Sequence, residues 1–139
     1  MSFVLLDASV MVALFDDADK GHEHYIAKLE RHGHAYKLVT TWPCVTEASY
    51  LLSPRSHLAL LHWLHRGGAV VRTMEVGELG ELIAWMNRYS ERGKSLMDLA
   101  DASLMWVAVK LGTACVLTED RRDFMRYRLP DGSGFEVLA

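Results

Sequence analysis

The sequence predicts an α/β fold, a three-layer α/β/α sandwich around a mainly parallel sheet. Three observations support this: 50% of the 139 residues are apolar, short apolar runs alternate with longer helical patterns, and glycines mark many of the boundaries between them. Such alternation favours right-handed βαβ crossovers, which place helices on both faces of a parallel sheet. A chain of this length usually forms one domain, so we expect a single domain over residues 1–139.

Five short apolar runs are predicted to be strands. The first, residues 4–6, is continuous and stops at Asp7, which is typical of a strand buried on both faces of a parallel sheet. The other four runs are residues 37–41, 69–74, 113–118 and 135–138. Between them, five segments show the apolar spacing of helices: residues 20–32, 43–52, 57–65, 76–92 and 97–111.

Composition excludes several classes of protein. The apolar fraction excludes a disordered chain, and the modest glycine and proline contents exclude a collagen-like repeat. The longest stretch without Asp, Glu, Lys or Arg is residues 56–65, far short of the ~20 apolar residues that span a bilayer. The amino terminus lacks the basic region of a signal peptide, and Cys44 and Cys115 lie among apolar neighbours as reduced thiols do. We therefore expect a cytoplasmic protein without a membrane segment.

The charge is unevenly distributed. A net charge of −3 and a pI near 6.1 argue against a protein that holds nucleic acid by its overall charge, but not against a nuclease whose surplus acids bind metal. Two basic groups stand out along the chain: Arg88, Arg92 and Lys94, and then Arg121, Arg122, Arg126 and Arg128.

Acidic residues fall where this fold places its ligand crevice, beyond the carboxyl ends of the strands. Asp7 follows the first predicted strand and Asp120 follows the fourth, so both are expected at the same edge of the sheet. Glu47 lies one turn into the helix after the second strand. Asp98 and Asp101 are three residues apart and share one face near the start of the 97–111 helix. Five acids from four segments are thus predicted to converge.

Converging carboxylates raise one another's pKa and need cations to stay ionised together. Hard oxygen ligands without a histidine among them favour Mg²⁺ or Mn²⁺. Acids of this kind can hold metal ions that promote the in-line displacement of a phosphodiester. The sequence therefore predicts a metal-dependent site.

Most of these acids also have a structural interpretation. Asp7 fits a turn residue after a strand, and Asp120 fits the N-cap of a short helix beginning at Arg121. Asp98 ends a near capping box that begins at Ser95, and Glu47 fits a solvated helix position. Asp101 is the hardest to explain structurally, because it interrupts an apolar helix where an unpaired acid is costly.

Four segments together resemble the PIN domain, and within it the VapC-type toxins of bacterial toxin–antitoxin pairs. They are VLLDAS at residues 4–9, the isolated Glu47, MDLADASL at residues 97–104 and LTEDRRDF at residues 117–124. The order and spacing of these segments are specific, although each alone is weak. The resemblance implies a five-stranded parallel sheet, an Mg²⁺- or Mn²⁺-dependent ribonuclease, a homodimer, and an antitoxin that blocks the acidic site.

The resemblance also assigns residues. It implies that Asp101 and three further acids form the metal-binding core, with one accessory acid and two small hydroxyl residues lining the site. The three further core acids are Asp7, Glu47 and Asp120. The accessory acid is Asp98, and the hydroxyl residues are Ser9 and Thr118. Asp123 follows Asp120 in the same loop, which leaves open which of the two reaches the metal; we expect Asp120.

The arginines after Asp120 are predicted to bind substrate phosphates, because guanidinium groups bind phosphate in a bidentate manner and these stand beside a core acid. The four are Arg121, Arg122, Arg126 and Arg128. A solvated surface is the alternative interpretation of the same cluster.

A partner surface is predicted on the 57–65 helix, whose apolar residues cover most of its circumference, whereas a helix on a sheet buries one stripe. They are Leu58, Leu60, Leu61, Trp63 and Leu64.

Two other functions remain as alternatives. An aspartyl-phosphate enzyme or receiver domain also begins with an acid after the first strand. The phosphatase version needs a second Asp where Ser9 stands, and both versions use a late Lys, whereas no Lys follows Lys110. The second alternative is a non-catalytic interaction protein with a vestigial acidic pocket.

Overall fold

A computed structural model describes residues 2–91 and 93–139. It contains one five-stranded sheet in which every neighbouring pair of strands is parallel. The strands are β1 (Ser2–Leu6), β2 (Tyr36–Thr41), β3 (Val70–Arg72), β4 (Cys115–Leu117) and β5 (Glu136–Val137). Their spatial order is β3-β2-β1-β4-β5, so the order reverses at β1. The predicted α/β/α fold with a five-stranded parallel sheet is confirmed.

The central strand β1 forms the middle of the core. Val4, Leu5 and Leu6 are fully buried, as the continuous apolar run predicts. Leu5 is paired with Val39 of β2 on one side and with Val116 of β4 on the other. The residues that follow β1 and β4 therefore leave the sheet side by side at the switch point, where ligand crevices form in such sheets.

Seven α-helices occur in the described residues. They are α1 (Ala8–Phe15), α2 (His22–His32), α3 (Trp42–Leu51), α4 (Pro54–His65), α5 (Leu79–Arg88), α6 (Leu99–Leu111) and α7 (Arg121–Arg126). No helix in this part of the chain is both long and apolar enough to cross a membrane.

The sequence reasoning missed α1. The segment ASVMVALF shows no apolar stripe because five of its eight residues are buried, so it lacks the polar face that reveals an amphipathic helix. The chain thus turns into a helix immediately after Asp7, which occupies the N-cap position.

Several predicted boundaries were wrong. The 57–65 helix begins earlier, at Pro54, because Ser53 caps it and proline suits the first helical turn. The 76–92 helix is a 3₁₀ turn followed by α5, which ends at Arg88; residue 92 lies outside the described part. The 97–111 helix begins at Leu99, because Asp98 caps it.

Helix α6 is buried almost throughout, with nine of its thirteen residues buried. It ends at Gly112, whose φ of 66° is the left-handed conformation that stops a helix. Both cysteines are free; Cys44 is buried as expected, but Cys115 is half-buried and its Sγ lies 3.3 Å from the carboxylate of Glu136.

Candidate functional site

A cavity of about 300 Å³ opens at the carboxyl ends of β1 and β4. It contains all five acids predicted from the sequence, together with Asp123 and one of the two predicted hydroxyl residues, and none of the described Lys, Arg or His residues lines it. The lining residues are Asp7, Ala8, Ser9, Glu47, Leu51, Leu96, Asp98, Asp101, Asp120 and Asp123. The predicted convergence of acids from distant segments is therefore present in the structure.

Asp7 is buried at the base of the cavity, where it is 2% exposed. One carboxylate oxygen accepts a hydrogen bond from the backbone N–H of Ala8 at 2.8 Å, which caps α1. The other accepts from the hydroxyls of Thr118 at 2.7 Å and Ser9 at 3.1 Å. Burial raises the pKa of Asp7 to about 6 although these hydrogen bonds oppose the shift. The carboxylate is thus fixed in position.

The same two hydroxyls hold the loop that carries Asp120. Thr118 accepts a hydrogen bond from the backbone N–H of Asp120 at 2.9 Å, and Ser9 accepts one from the N–H of Glu119 at 2.9 Å. Each hydroxyl therefore donates to Asp7 and accepts from the loop after β4. This pairing fixes the two strand ends relative to each other.

Asp98 caps α6, but as the N-cap residue itself and not as the last residue of a capping box that begins at Ser95. Its Oδ1 accepts from the backbone N–H of Asp101 at 2.8 Å, one turn into α6. It also lines the cavity, so capping accounts for one carboxylate oxygen and leaves the acid within the site.

Asp101 is 9% exposed and meets the cavity from α6. Its Oδ2 accepts a hydrogen bond from the hydroxyl of Tyr127 at 2.7 Å. Burial is the main cause that raises the pKa of Asp101 to about 8, and the nearby charges of Asp98, Asp7 and Asp120 raise it further. An acid this perturbed in a pocket is a candidate for function.

Tyr127 is a site residue that sequence reasoning missed. It is fully buried and packs edge-on against Phe124 and Tyr89, with the guanidinium of Arg126 over its ring. This packing fixes the hydroxyl that holds Asp101. Little in the sequence indicates this role: Phe124 and Tyr127 are two aromatic residues three positions apart among the arginines.

Glu47 and Asp120 face the cavity with fewer restraints. Glu47 is exposed on α3, and partial burial, followed by the charges of Asp98, Asp7 and Asp120, raises its pKa. Asp120 occupies the N-cap position of α7, yet its side chain accepts no capping hydrogen bond there. Burial and then the neighbouring charge of Asp123 raise the pKa of Asp120. The carboxylate of Asp120 therefore lines the cavity without capping α7.

The acids fit a hard divalent cation. Within residues 2–91 and 93–139, no three His, Cys, Asp or Glu side chains are grouped tightly enough to ligate one ion directly. Mg²⁺ binds proteins through one or two carboxylates and keeps several of its waters, so the carboxylates that line the cavity are compatible with it. Burial is the main cause of the raised pKa values of Asp7, Asp101 and Asp120, and neighbouring carboxylates raise them further; a cation would relieve that added repulsion.

The predicted substrate arginines divide into two pairs. Arg121 and Arg122 are exposed beside Asp120. Arg126 instead donates to the carbonyl of Ser95 at 2.7 Å, and Arg128 donates to the carbonyls of two residues of its own segment at 2.8 and 2.9 Å. Substrate contact remains a prediction for all four.

Comparison with known proteins agrees with this geometry. The chain is 27% identical to Ribonuclease VapC26 of Mycobacterium tuberculosis over 139 residues, which covers 97% of this chain and 99% of that relative. Among solved structures it is similar to the crystal structure of Mycobacterium tuberculosis VapC20, a sarcin–ricin loop cleaving toxin. The TM-score is 0.69 at 20% identity, and the match covers 86% of this chain and 93% of VapC20. Residues 4–129 match the family model of the PIN domain, and the chain therefore belongs to the PIN domain family.

Proposed function

We propose that this chain is a metal-dependent endoribonuclease that hydrolyses RNA phosphodiester bonds and acts as the toxin of a toxin–antitoxin pair. The observation that carries the proposal is the cavity at the switch point, which six carboxylates line and to which the described part of the chain contributes no basic side chain. Membership of the PIN domain family and the similarity to Ribonuclease VapC26 support the same chemistry. Because the proposed substrate is RNA, we expect the protein to act in the cytoplasm.

The metal ligands would come from the acids of the cavity, with Asp7 and Asp101 held most rigidly. They are Asp7, Glu47, Asp98, Asp101 and Asp120. When bound, Mg²⁺ or Mn²⁺ supplies Lewis-acid stabilisation of charge on the phosphate and lowers the pKa of an attacking water. Ser9 and Thr118 orient Asp7, and the exposed Arg121 and Arg122 would bind phosphates that flank the cleaved bond.

The experiment that tests the function is cleavage of a mixed RNA pool by the purified chain in the presence of Mg²⁺, with the cut sites mapped by sequencing. The pool includes ribosomal RNA with an intact sarcin–ricin loop, because VapC20 is named for cleaving it. A matching DNA pool shows whether the reaction is limited to RNA. Absence of metal-dependent cleavage would favour the non-catalytic interaction protein.

Tyr127→Phe is expected to lower RNA cleavage by about 10- to 100-fold, the usual loss when a residue that orients a metal ligand is removed. Phenylalanine keeps the ring packing but deletes the hydroxyl that holds Asp101. The Mg²⁺ concentration for half-maximal rate is expected to rise, which a purely structural role would not cause. Tyr36→Phe, far from the cavity, serves as the control, and equal Mg²⁺ dependence in both variants would contradict the assignment.

We also propose that the chain forms a homodimer through α4. Leu58 is 53% exposed and Leu61 is 37% exposed there, whereas Leu60 is fully buried. Light scattering is expected to show a dimer for the natural chain and a monomer for Leu58→Glu/Leu61→Glu. Ile83→Glu changes a more exposed apolar position on α5, 62% exposed, and is expected to stay dimeric; a monomeric natural chain would contradict the proposal.

The proposed antitoxin is a small protein encoded beside this chain. An arginine inserted into the acidic cavity would pair with the carboxylates and compete with the metal.

A further inference from the structure

A second, smaller cavity of about 160 Å³ lies beside the acidic one. Three of its five lining residues are cationic. The lining residues are Arg88, Tyr89, Glu91, Lys94 and Arg126. The sequence marks the region as basic, but neither the fold nor the proposed metal site accounts for this group of charges.

Arg126 is held in place in the wall of this cavity. Its Nη2 donates to the carbonyl of Ser95 at 2.7 Å, and its guanidinium lies 5.8 Å from the ring centre of Tyr89 and 5.6 Å from that of Tyr127. Its Nε, in contrast, is buried and has no hydrogen-bond partner among the described residues. A buried donor of this kind is costly unless an acceptor reaches it. The guanidinium of Arg126 is thus fixed at the wall of the cavity by its other contacts.

The charges of the cavity favour an anion. Arg88 and Lys94 are cationic, and Glu91 is the one carboxylate among the lining residues. Lys94 contacts Glu91 at 3.0 Å, but their side chains are 55% and 65% exposed, so this ion pair is weak and exchangeable. With Arg126 included, the lining residues carry an excess of two positive charges, which Asp123, 3.9 Å from Arg126, reduces to one.

The two cavities share a wall. Asp123, which lines the acidic cavity, lies 3.9 Å from Arg126, which lines the basic one. Ser95, whose carbonyl receives Arg126, directly precedes Leu96 of the acidic cavity. A strand that places one phosphate among the acids therefore passes close to the cations.

We propose that the basic cavity binds a backbone phosphate of single-stranded RNA adjacent to the one that is cleaved, and so anchors the strand; this inference rests on the proposed function. A fixed guanidinium with further cations around it is the arrangement that binds phosphate. A protein of net charge −3 with a cavity of six acids repels RNA at the reacting centre, so binding requires a positive anchor nearby.

The experiment measures equilibrium binding of a fluorescein-labelled single-stranded oligoribonucleotide of mixed sequence by anisotropy, in EDTA, over a series of salt concentrations. Arg88→Gln is expected to raise the Kd several-fold and to reduce the log–log salt slope by about 0.7, the value for one lost contact to a single strand. Glu91→Gln is expected to act in the opposite direction and lower the Kd, because it removes the carboxylate of the cavity. Arg88 and Glu91 are exposed, so both variants are expected to fold.

Arg31→Gln is the matched control, since it removes the same charge from an exposed position on α2. Equal Kd and salt slope in Arg88→Gln and Arg31→Gln would overturn the anchor, whatever the chain cleaves. Failure of the natural chain to bind the RNA, or capture of an acidic peptide in its place, would overturn it as well. If the variants behave as expected and no metal supports cleavage, the anchor stands and the proposed nuclease function fails.

Discussion

Asp101→Asn is expected to reduce RNA cleavage at least about 100-fold, the scale of losing one preorganised electrostatic group at a reacting centre. The substitution keeps the size of the side chain and an oxygen that can accept the hydrogen bond from Tyr127, which contacts Asp101 at 2.7 Å. It deletes the charge that would hold a cation. The loss therefore falls on the chemistry while the fold remains.

The same substitution is expected to stabilise the metal-free protein at high pH. The carboxyl of Asp101 has an ordinary pKa of 3.8 and a folded-state pKa of about 8, so the folded state holds its proton more tightly. Below about pH 4 both states are protonated; as the pH rises towards 8, the unfolded chain gains from ionisation and the free energy of unfolding falls. Asn has no such titration. We expect a gain on the order of 1–3 kcal/mol near pH 8 and little difference near pH 4.

Urea unfolding in EDTA near pH 4 and near pH 8 measures the gain in stability. Cleavage of the RNA pool measures the loss of activity. Asp17→Asn, an exposed acid outside the cavity, is the control and is expected to keep full activity. A folded Asp101→Asn protein with full activity would exclude Asp101 from the site.

The core acids could be predicted from the sequence because their positions follow from the fold. A strand that ends at Asp7 and another that ends before Asp120 place both residues at one edge of a parallel sheet, whatever the details of packing. Asp101 was indicated because an unpaired acid within an apolar helix has a high free-energy cost of desolvation. Each of these inferences uses local spacing or a rule of strand order, which a single sequence contains.

The contacts that complete the site could not be predicted in this way. Tyr127 reaches Asp101 across 26 residues of chain, from the position just after α7, so its role depends on tertiary packing. Arg126 was predicted to bind substrate, but the hydrogen bond that positions its guanidinium, to the carbonyl of Ser95 31 residues away, could not be predicted. Helix α1 was missed because burial removed the polar face that periodicity needs. Local patterns therefore placed the acids but not the residues that hold them.

Removal of divalent metal is expected to reduce RNA cleavage to background, because the cavity offers carboxylates and no basic side chain to stabilise charge on a phosphate. EDTA should abolish the activity, and added Mg²⁺ or Mn²⁺ should restore it. Ca²⁺ is larger and less demanding of octahedral geometry, so we expect it to bind and to support little turnover.

Thermal stability gives a second measure of the same site, independent of activity. A cation that binds only the folded chain stabilises it, by about 2.7 kcal/mol at a hundred times its Kd, so Mg²⁺ is expected to raise the Tm. The rise should shrink in Asp101→Asn and in Asp7→Asn, and it should persist in Asp17→Asn. It should also be larger near pH 8 than near pH 5, because the protons that the raised pKa values of Asp7 and Asp101 retain compete with the metal. Full cleavage in EDTA, or an equal Mg²⁺-induced rise in all three variants, would show that the acids of the cavity do not bind the metal.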